Sequence, residues 1–169
     1  MTPAMIQKKV CMLGATGVGK TSLVSRFVSS IFSDKYMTSV GVKVDKKTVT
    51  VGEDPVTLVL WDIYGEDAFQ SVRASYLRGA AGYLLVADGT RQLTLDTARS
   101  LQKTAEGAAG RVPFVLAMNN ADLVAEWQVD DKALWKIAED GWSIVRTSAL
   151  TGAGVEDAFM KLTRAMLAG

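Results

Sequence analysis

The chain has 169 residues, 49% of them hydrophobic and 22% charged, enough for a domain that buries roughly 70% of the surface its unfolded chain would expose. Lys and Arg number 19 and Asp and Glu 18, a formal net charge of +1, so no basic field points to nucleic acid or an anionic membrane. One cysteine excludes an internal disulfide, and the lack of histidine removes the commonest general base and metal ligand.

In chain order, short apolar runs alternate with longer amphipathic ones. Val10–Leu13 reads as a buried strand holding Cys11 as a core thiol. Lys20–Ser30 reads as a helix with Leu23, Val24, Phe27 and Val28 on one face. Val42–Val51 and Val56–Asp62 form an antiparallel pair joined by a turn at Gly52–Pro55. Asp67–Arg78 predicts a short helix, Gly82–Asp88 a strand and Thr94–Glu106 a helix. Val112–Met118 is a strand, Asp130–Asp140 a helix and Ser143–Thr147 a strand. A last helix runs from Val155 to Leu167, with Val155, Ala158, Phe159, Leu162 and Met166 as its buried stripe. Strands separated by helices need right-handed crossovers, hence an α/β fold with a mostly parallel sheet covered on both faces. No repeat or linker divides residues 1–169, which read as one domain.

Candidate chemistry clusters at the carboxyl ends of these strands, where ligands bind in such sheets. Gly14-Ala15-Thr16-Gly17-Val18-Gly19-Lys20-Thr21 matches the phosphate-loop pattern G-x-x-x-x-G-K-[ST]. Its glycines let backbone N–H groups turn inward around an anion, and the helix beginning at Lys20 aims its positive end at the same point. Lys20 is expected to neutralise β- and γ-phosphates and Thr21 to ligate Mg²⁺. Asp62, at the end of Leu58-Val59-Leu60-Trp61, is the expected second Mg²⁺ anchor, and Gly65 would offer a backbone N–H to the γ-phosphate. In Met118-Asn119-Asn120-Ala121-Asp122, the Asp122 carboxylate could accept two hydrogen bonds from guanine, a donor pair that adenine lacks. Asn119 would tie this base loop to the phosphate loop, and Thr147-Ser148-Ala149 would meet the guanine O6 through a backbone N–H.

With these residues the chain resembles a small GTPase of the Ras superfamily, nearest to the Rab branch, over essentially its whole length from Lys9. Further motifs carrying the resemblance are Tyr36-Met37-Thr38-Ser39-Val40-Gly41-Val42, Trp61-Asp62-Ile63-Tyr64-Gly65-Glu66-Asp67, Ser75-Tyr76-Leu77-Arg78-Gly79-Ala80 and Thr147-Ser148-Ala149-Leu150-Thr151-Gly152. The resemblance implies a three-layer P-loop NTPase fold, a six-stranded mostly parallel sheet with about five helices, forming a single small-GTPase domain. It also implies a GTP/GDP switch with Mg²⁺, two switch loops around the γ-phosphate, and regulation by an exchange factor, an activating protein and an effector. The implied nucleotide site comprises Gly14 to Ser22, Phe32 on the guanine edge, Ser39, Gly65, Asn119, Asn120, Asp122, Leu123, Ser148, Ala149 and Leu150. Thr21, Ser39 and Asp62 are the implied metal ligands, and Lys20, Gly65 and Glu66 stand at the catalytic positions.

Several residues depart from the family pattern. Ser39 replaces the switch I threonine, keeping the hydroxyl but losing the methyl. Glu66 replaces the glutamine that orients the attacking water; two unit charges ~5 Å apart repel by on the order of 3 kcal/mol at an effective dielectric of ~20. Asn120 and Leu150 replace lysines near the base, Thr16 crowds the water's side of the phosphate loop, and Phe32–Ser39 holds no arginine to act as a finger in cis. Arg73 and Arg78 read as solvent- or partner-facing, and Trp127, Trp135 and Trp142 as packing or surface residues. Trp61 corresponds to an effector-facing aromatic in Rab proteins, whereas Val44 stands where that surface usually has a phenylalanine.

Two functions remain open at this point: a switch with slow intrinsic GTP hydrolysis, or a guanine-nucleotide-binding interaction module with little or no turnover. Asp122 disfavours a third, an ATP-using enzyme. Met1–Ala4 lacks an apolar signal core, Thr2 excludes myristoylation, and the C-terminus carries no prenylatable cysteine. The apolar runs fall short of the ~20 residues that span a bilayer. The expectation is a soluble, cytoplasmic monomer with no membrane anchor in this chain.

Overall fold

A computed structural model describes residues 6–29, 41–64 and 74–168. Six strands form one sheet: β1 (Ile6–Gly14), β2 (Gly41–Val51), β3 (Asp54–Tyr64), β4 (Gly82–Asp88), β5 (Phe114–Asn119) and β6 (Ser143–Arg146). Five helices accompany them: α1 (Lys20–Ser29), α2 (Ala74–Leu77), α3 (Gln92–Ala109), α4 (Asp131–Glu139) and α5 (Val155–Ala168), with a 3-10 turn over Ala121–Glu126. The strand order is β2-β3-β1-β4-β5-β6, antiparallel only between β2 and β3. This is the expected three-layer α/β architecture.

Alternation along the central strands sorts their side chains into two cores. Val10 and Met12 of β1, Leu84 and Val86 of β4, and Val115 and Ala117 of β5 face α1 and α5. The residues between them, Cys11, Leu13, Leu85, Leu116 and Met118, face α2, α3 and α4. The stripes expected on α1 and α5 meet each other, with Phe27 stacked on Phe159 at a centroid distance of 4.1 Å. Burial pushes the Cys11 thiol up to about 11, so it is an inert core group.

Element boundaries moved where turn chemistry outweighs hydrophobic pattern. The β2–β3 link is shorter than the expected four-residue turn, because Asp54 and Pro55 already pair with Val51 and Thr50. Gly52 at φ +63 supplies the first turn residue that a two-residue hairpin of type II′ requires. Pro55 needs no N–H for β1, whose pairing with β3 begins at Val56. Likewise β5 starts after Pro113 rather than at Val112, while α3 runs on to Ala109 before Gly110, at φ +81, ends it. Of the helix expected over Asp67–Arg78, residues 74–77 are helical and 67–73 lie outside the described residues.

The sheet grows outward from β1 in both directions, through β3 to β2 and through β4 to β6. That reversal opens a crevice at the carboxyl end of β1, where an open α/β sheet accommodates a ligand.

Candidate nucleotide-binding site

β1 ends at Gly14 and α1 begins at Lys20, so the connecting loop sits in this crevice. A Cβ on Gly14 would stand 2.6 Å from the Val86 carbonyl oxygen, and one on Gly19, at φ +99, would collide with the Asn119 amide. Only glycine fits these two positions. Val18 is buried in the core and anchors the loop, whereas Thr16 and Gly17 are exposed. The first turn of α1 closes with Leu23 N donating to the Gly19 carbonyl at 2.9 Å.

Lys20 is buried, and its ammonium donates to the Ile63 carbonyl at 2.7 Å. The Thr21 hydroxyl donates to Asp62 Oδ2 at 2.6 Å. Asp62 Oδ1 is buried and, among the described residues, has no hydrogen-bond partner. Burial lowers the Lys20 ammonium and raises the Asp62 carboxyl from their ordinary values, while each charge favours the other. An orphaned carboxylate oxygen beside a hydroxyl is an incomplete hard-cation site, and the residues fit Mg²⁺. Among the described residues no group of three carboxylate, cysteine or histidine side chains could hold a metal. Mg²⁺ commonly takes one or two protein oxygens and completes its shell with phosphate and water.

On the base side, Asn119 is buried at the end of β5. Its amide Nδ2 donates to the Val18 carbonyl at 2.9 Å, and its Oδ1 accepts from the Thr147 hydroxyl at 3.2 Å. Asn119 thereby joins the loop after β5 to the phosphate loop and to the end of β6. Asp122 is exposed in the 3-10 turn, and its Oδ1 accepts from the Ser148 hydroxyl at 2.8 Å. Ser148 in turn accepts from Thr151 N at 3.1 Å, which fixes its rotamer. Leu123 and Leu150 are 40% and 56% exposed on the two sides of this carboxylate, and Ala149 is buried. Ser22 lies half-buried in the first turn of α1.

Phe32, Ser39, Gly65 and Glu66, together with Arg73, lie outside the described residues. Arg78 is exposed as expected. Trp135 is exposed, and Trp142 meets Phe114 edge-on. Trp61 is half-buried with the Lys9 ammonium 3.9 Å over its ring, and Val44, its partner across β2, is 47% exposed.

The chain matches the Ras family over residues 9–168. It is 35% identical to the human Ras-related protein Rab-4B over 161 residues, covering 94% of this chain and 76% of the relative. To the dog Ras-related protein Rab-13 it is 32% identical, covering 94% and 79%, and to Ras-related protein Rab-1 of Theileria annulata 33%, covering 94% and 73%. The chain belongs to the Ras family. As a Rab-like member it is a small GTP-binding switch protein and a GTPase in the family's general sense.

Sequence reasoning missed part of what holds this Ras-family site together. Asp88 ends β4 and is buried. Its Oδ1 accepts from Thr90 N at 2.9 Å and from the Thr90 hydroxyl at 2.7 Å, and its Oδ2 from Arg91 Nε at 3.2 Å. Trp127 packs against Gly89 so closely that no side chain fits there, and its indole N–H donates to the Asn120 carbonyl at 2.8 Å. An aspartate closing an apolar strand was the available signal for the first. Nothing in the sequence pattern marks the second.

Proposed function

We propose that this Ras-family chain cycles between GTP and GDP as a molecular switch with slow intrinsic hydrolysis. The nucleotide's phosphates would lie in the Gly14–Thr21 loop and its base against Asp122. The observation that carries this reading is the buried Asp62 Oδ1, unpartnered among the described residues, beside the Thr21 hydroxyl at the mouth of the phosphate loop. Mg²⁺ held by Thr21, Asp62 and Ser39 would neutralise charge on the β- and γ-phosphate oxygens. Lys20 would exchange its Ile63 carbonyl for those same oxygens, an exchange favoured because a charged acceptor holds a buried ammonium more strongly than a neutral carbonyl does. Asp122, held by Ser148, would accept both N–H donors of the guanine edge. Asn120, Leu123, Ala149 and Leu150 would complete the base pocket and Phe32 its edge.

Slow turnover would follow from Glu66, whose charge replaces the neutral glutamine that orients water in the family, and from Thr16, which crowds the phosphate loop. The reading places the chain in the cytoplasm as a single-domain monomer whose switch segments meet an exchange factor, an activating protein and an effector. Among the described residues no helix is long and apolar enough to cross a membrane.

Single-turnover hydrolysis of radiolabelled GTP by the purified chain tests the proposal. Slow but measurable phosphate release supports it. Tight GTP binding with no release over many hours, with or without cell extract, leaves a nucleotide-dependent interaction module instead. Equal competition by ATP and GTP for bound fluorescent GDP would remove the base assignment.

A further inference from the structure

Arg91 caps the N-terminus of α3 through its carbonyl, which accepts from Thr94, yet its side chain makes no capping hydrogen bond to that helix. A helix start favours Ser, Thr, Asp or Asn, and its dipole disfavours a cation; the first turn of α3 carries no acidic residue to offset it. Such a local misfit points to a task elsewhere. The guanidinium turns away from the helix and forks. Its Nε donates to Asp88 Oδ2 at 3.2 Å, and its Nη2 donates to the Thr16 carbonyl of the phosphate loop at 3.1 Å. A Cβ on Gly17 would lie 3.4 Å from the same Nη2, so the fork rests against the outer side of the loop at Thr16 and Gly17.

Asp88 ends β4 opposite Asn119 of β5. The next residue, Gly89, donates its N–H to the Asn119 carbonyl at 3.1 Å, and Trp127, packed against Gly89, donates its indole N–H to the Asn120 carbonyl. Asn120 holds a left-handed conformation at φ 68, the only non-glycine residue at positive φ among those described. The phosphate loop is therefore held at two points, by Asn119 at Val18 and by the Asp88–Arg91 fork at Thr16.

We propose that Arg91, fixed by Asp88, is a positioning residue for nucleotide retention that couples the Asp88–Gly89 end of β4, against which the base loop packs, to the phosphate loop at Thr16. This rests on the nucleotide site proposed above. The clamp would hold the loop's inward N–H groups in register and bring a positive charge to the phosphate loop at Thr16. Arginine suits the role because its planar fork can satisfy a carboxylate and a carbonyl together, which one ammonium does less well.

The test is the release rate of fluorescent GDP from the Mg²⁺-loaded chain, measured for wild type, Arg91→Ala, Arg91→Lys, Asp88→Asn and the Arg91→Ala/Asp88→Asn pair. Arg91 is exposed enough to be replaced, and thermal melting of the nucleotide-free variants controls for folding. Expected results are release about tenfold faster for Arg91→Ala with melting unchanged, partial recovery for Arg91→Lys, and a double variant slower than the product of the single effects. Release by Arg91→Ala within about twofold of wild type, or strictly multiplicative single effects, overturns the coupling. Asp122→Ala separates the two layers. Loss of guanine preference there, with Arg91→Ala silent, removes the clamp and keeps the base assignment; unchanged guanine preference there removes the base assignment, while a fast Arg91→Ala still supports the clamp.

Discussion

The Thr21 hydroxyl and the Asp62 carboxylate meet at 2.6 Å across the junction of α1 and β3, leaving one buried oxygen of Asp62 without a partner among the described residues. A buried, unsatisfied carboxylate oxygen is costly unless a ligand completes it. Thr21→Ala would remove one proposed Mg²⁺ ligand and also the hydrogen bond that aims Asp62. In the wild-type chain, chelating Mg²⁺ should accelerate GDP release. In Thr21→Ala, release should be faster by roughly ten- to hundredfold even with Mg²⁺ present, and chelation should add little. Release assays with and without EDTA check this; an undiminished chelator effect in the variant counts against Thr21 as a ligand.

Metal retention should also depend on pH. Burial raises Asp62 above its ordinary value of 3.8, partly opposed by the Lys20 charge and the Thr21 hydrogen bond. A carboxyl raised in the folded state binds a proton more readily there than in the unfolded chain, so its ionisation costs stability as pH rises through the raised value. Cation binding needs the ionised form, and protons compete for it at higher pH than at an ordinary aspartate. GDP retention at fixed Mg²⁺ should therefore weaken as pH falls, beginning above the range of an ordinary aspartate, and excess Mg²⁺ should restore it. Release that stays flat as pH falls, at limiting Mg²⁺, places the metal elsewhere.

The phosphate loop was legible in the sequence because its chemistry demands particular residues at fixed spacing, and Gly14 and Gly19 have no room for a Cβ. The strands were legible because buried parallel strands read as unbroken apolar runs, as β4 does. The Asp88–Arg91 fork was not. Its partners Thr16 and Arg91 are 75 positions apart, and an arginine after a strand end reads as an ordinary surface cation until the fold brings it to the loop. Turn boundaries at Gly52 and Pro113 were missed for a different reason, since hydrophobic pattern carries no information about which backbone N–H groups a register requires.

Asn119 and Asp122 sit three positions apart and should fail differently. Asn119 is buried, and replacing it with alanine leaves the Val18 carbonyl and the Thr147 hydroxyl without partners. Each such loss costs about 1–3 kcal/mol, and each kcal/mol lowers the melting temperature of a domain this size by about 2–4 °C. Asn119→Ala should therefore melt several degrees lower even without nucleotide. Asp122 is exposed and makes one described side-chain hydrogen bond, to the Ser148 hydroxyl, so Asp122→Ala should melt closer to wild type than Asn119→Ala, yet lose its preference for GDP over ADP. Thermal melts and competition binding separate the two; equal melting losses would mean that Asp122 is part of the fold rather than the base site.

On the function proposed above, Glu66 would decide whether the bound nucleotide turns over. Its carboxylate could take a proton from water, but repulsion from the γ-phosphate, on the order of 3 kcal/mol at ~5 Å, works against the approach that such a role needs. Glu66→Gln removes the charge while keeping length and shape, and offers water an amide that both donates and accepts. Single-turnover hydrolysis should then rise by on the order of tenfold or more, with GTP affinity nearly unchanged because the rest of the site is untouched. The comparison is made at saturating Mg²⁺–GTP so that the chemical step alone is read. An unchanged rate would mean that Glu66 does not stand near the attacking water, and that Thr16 or the lack of an arginine in Phe32–Ser39 sets the slow step instead.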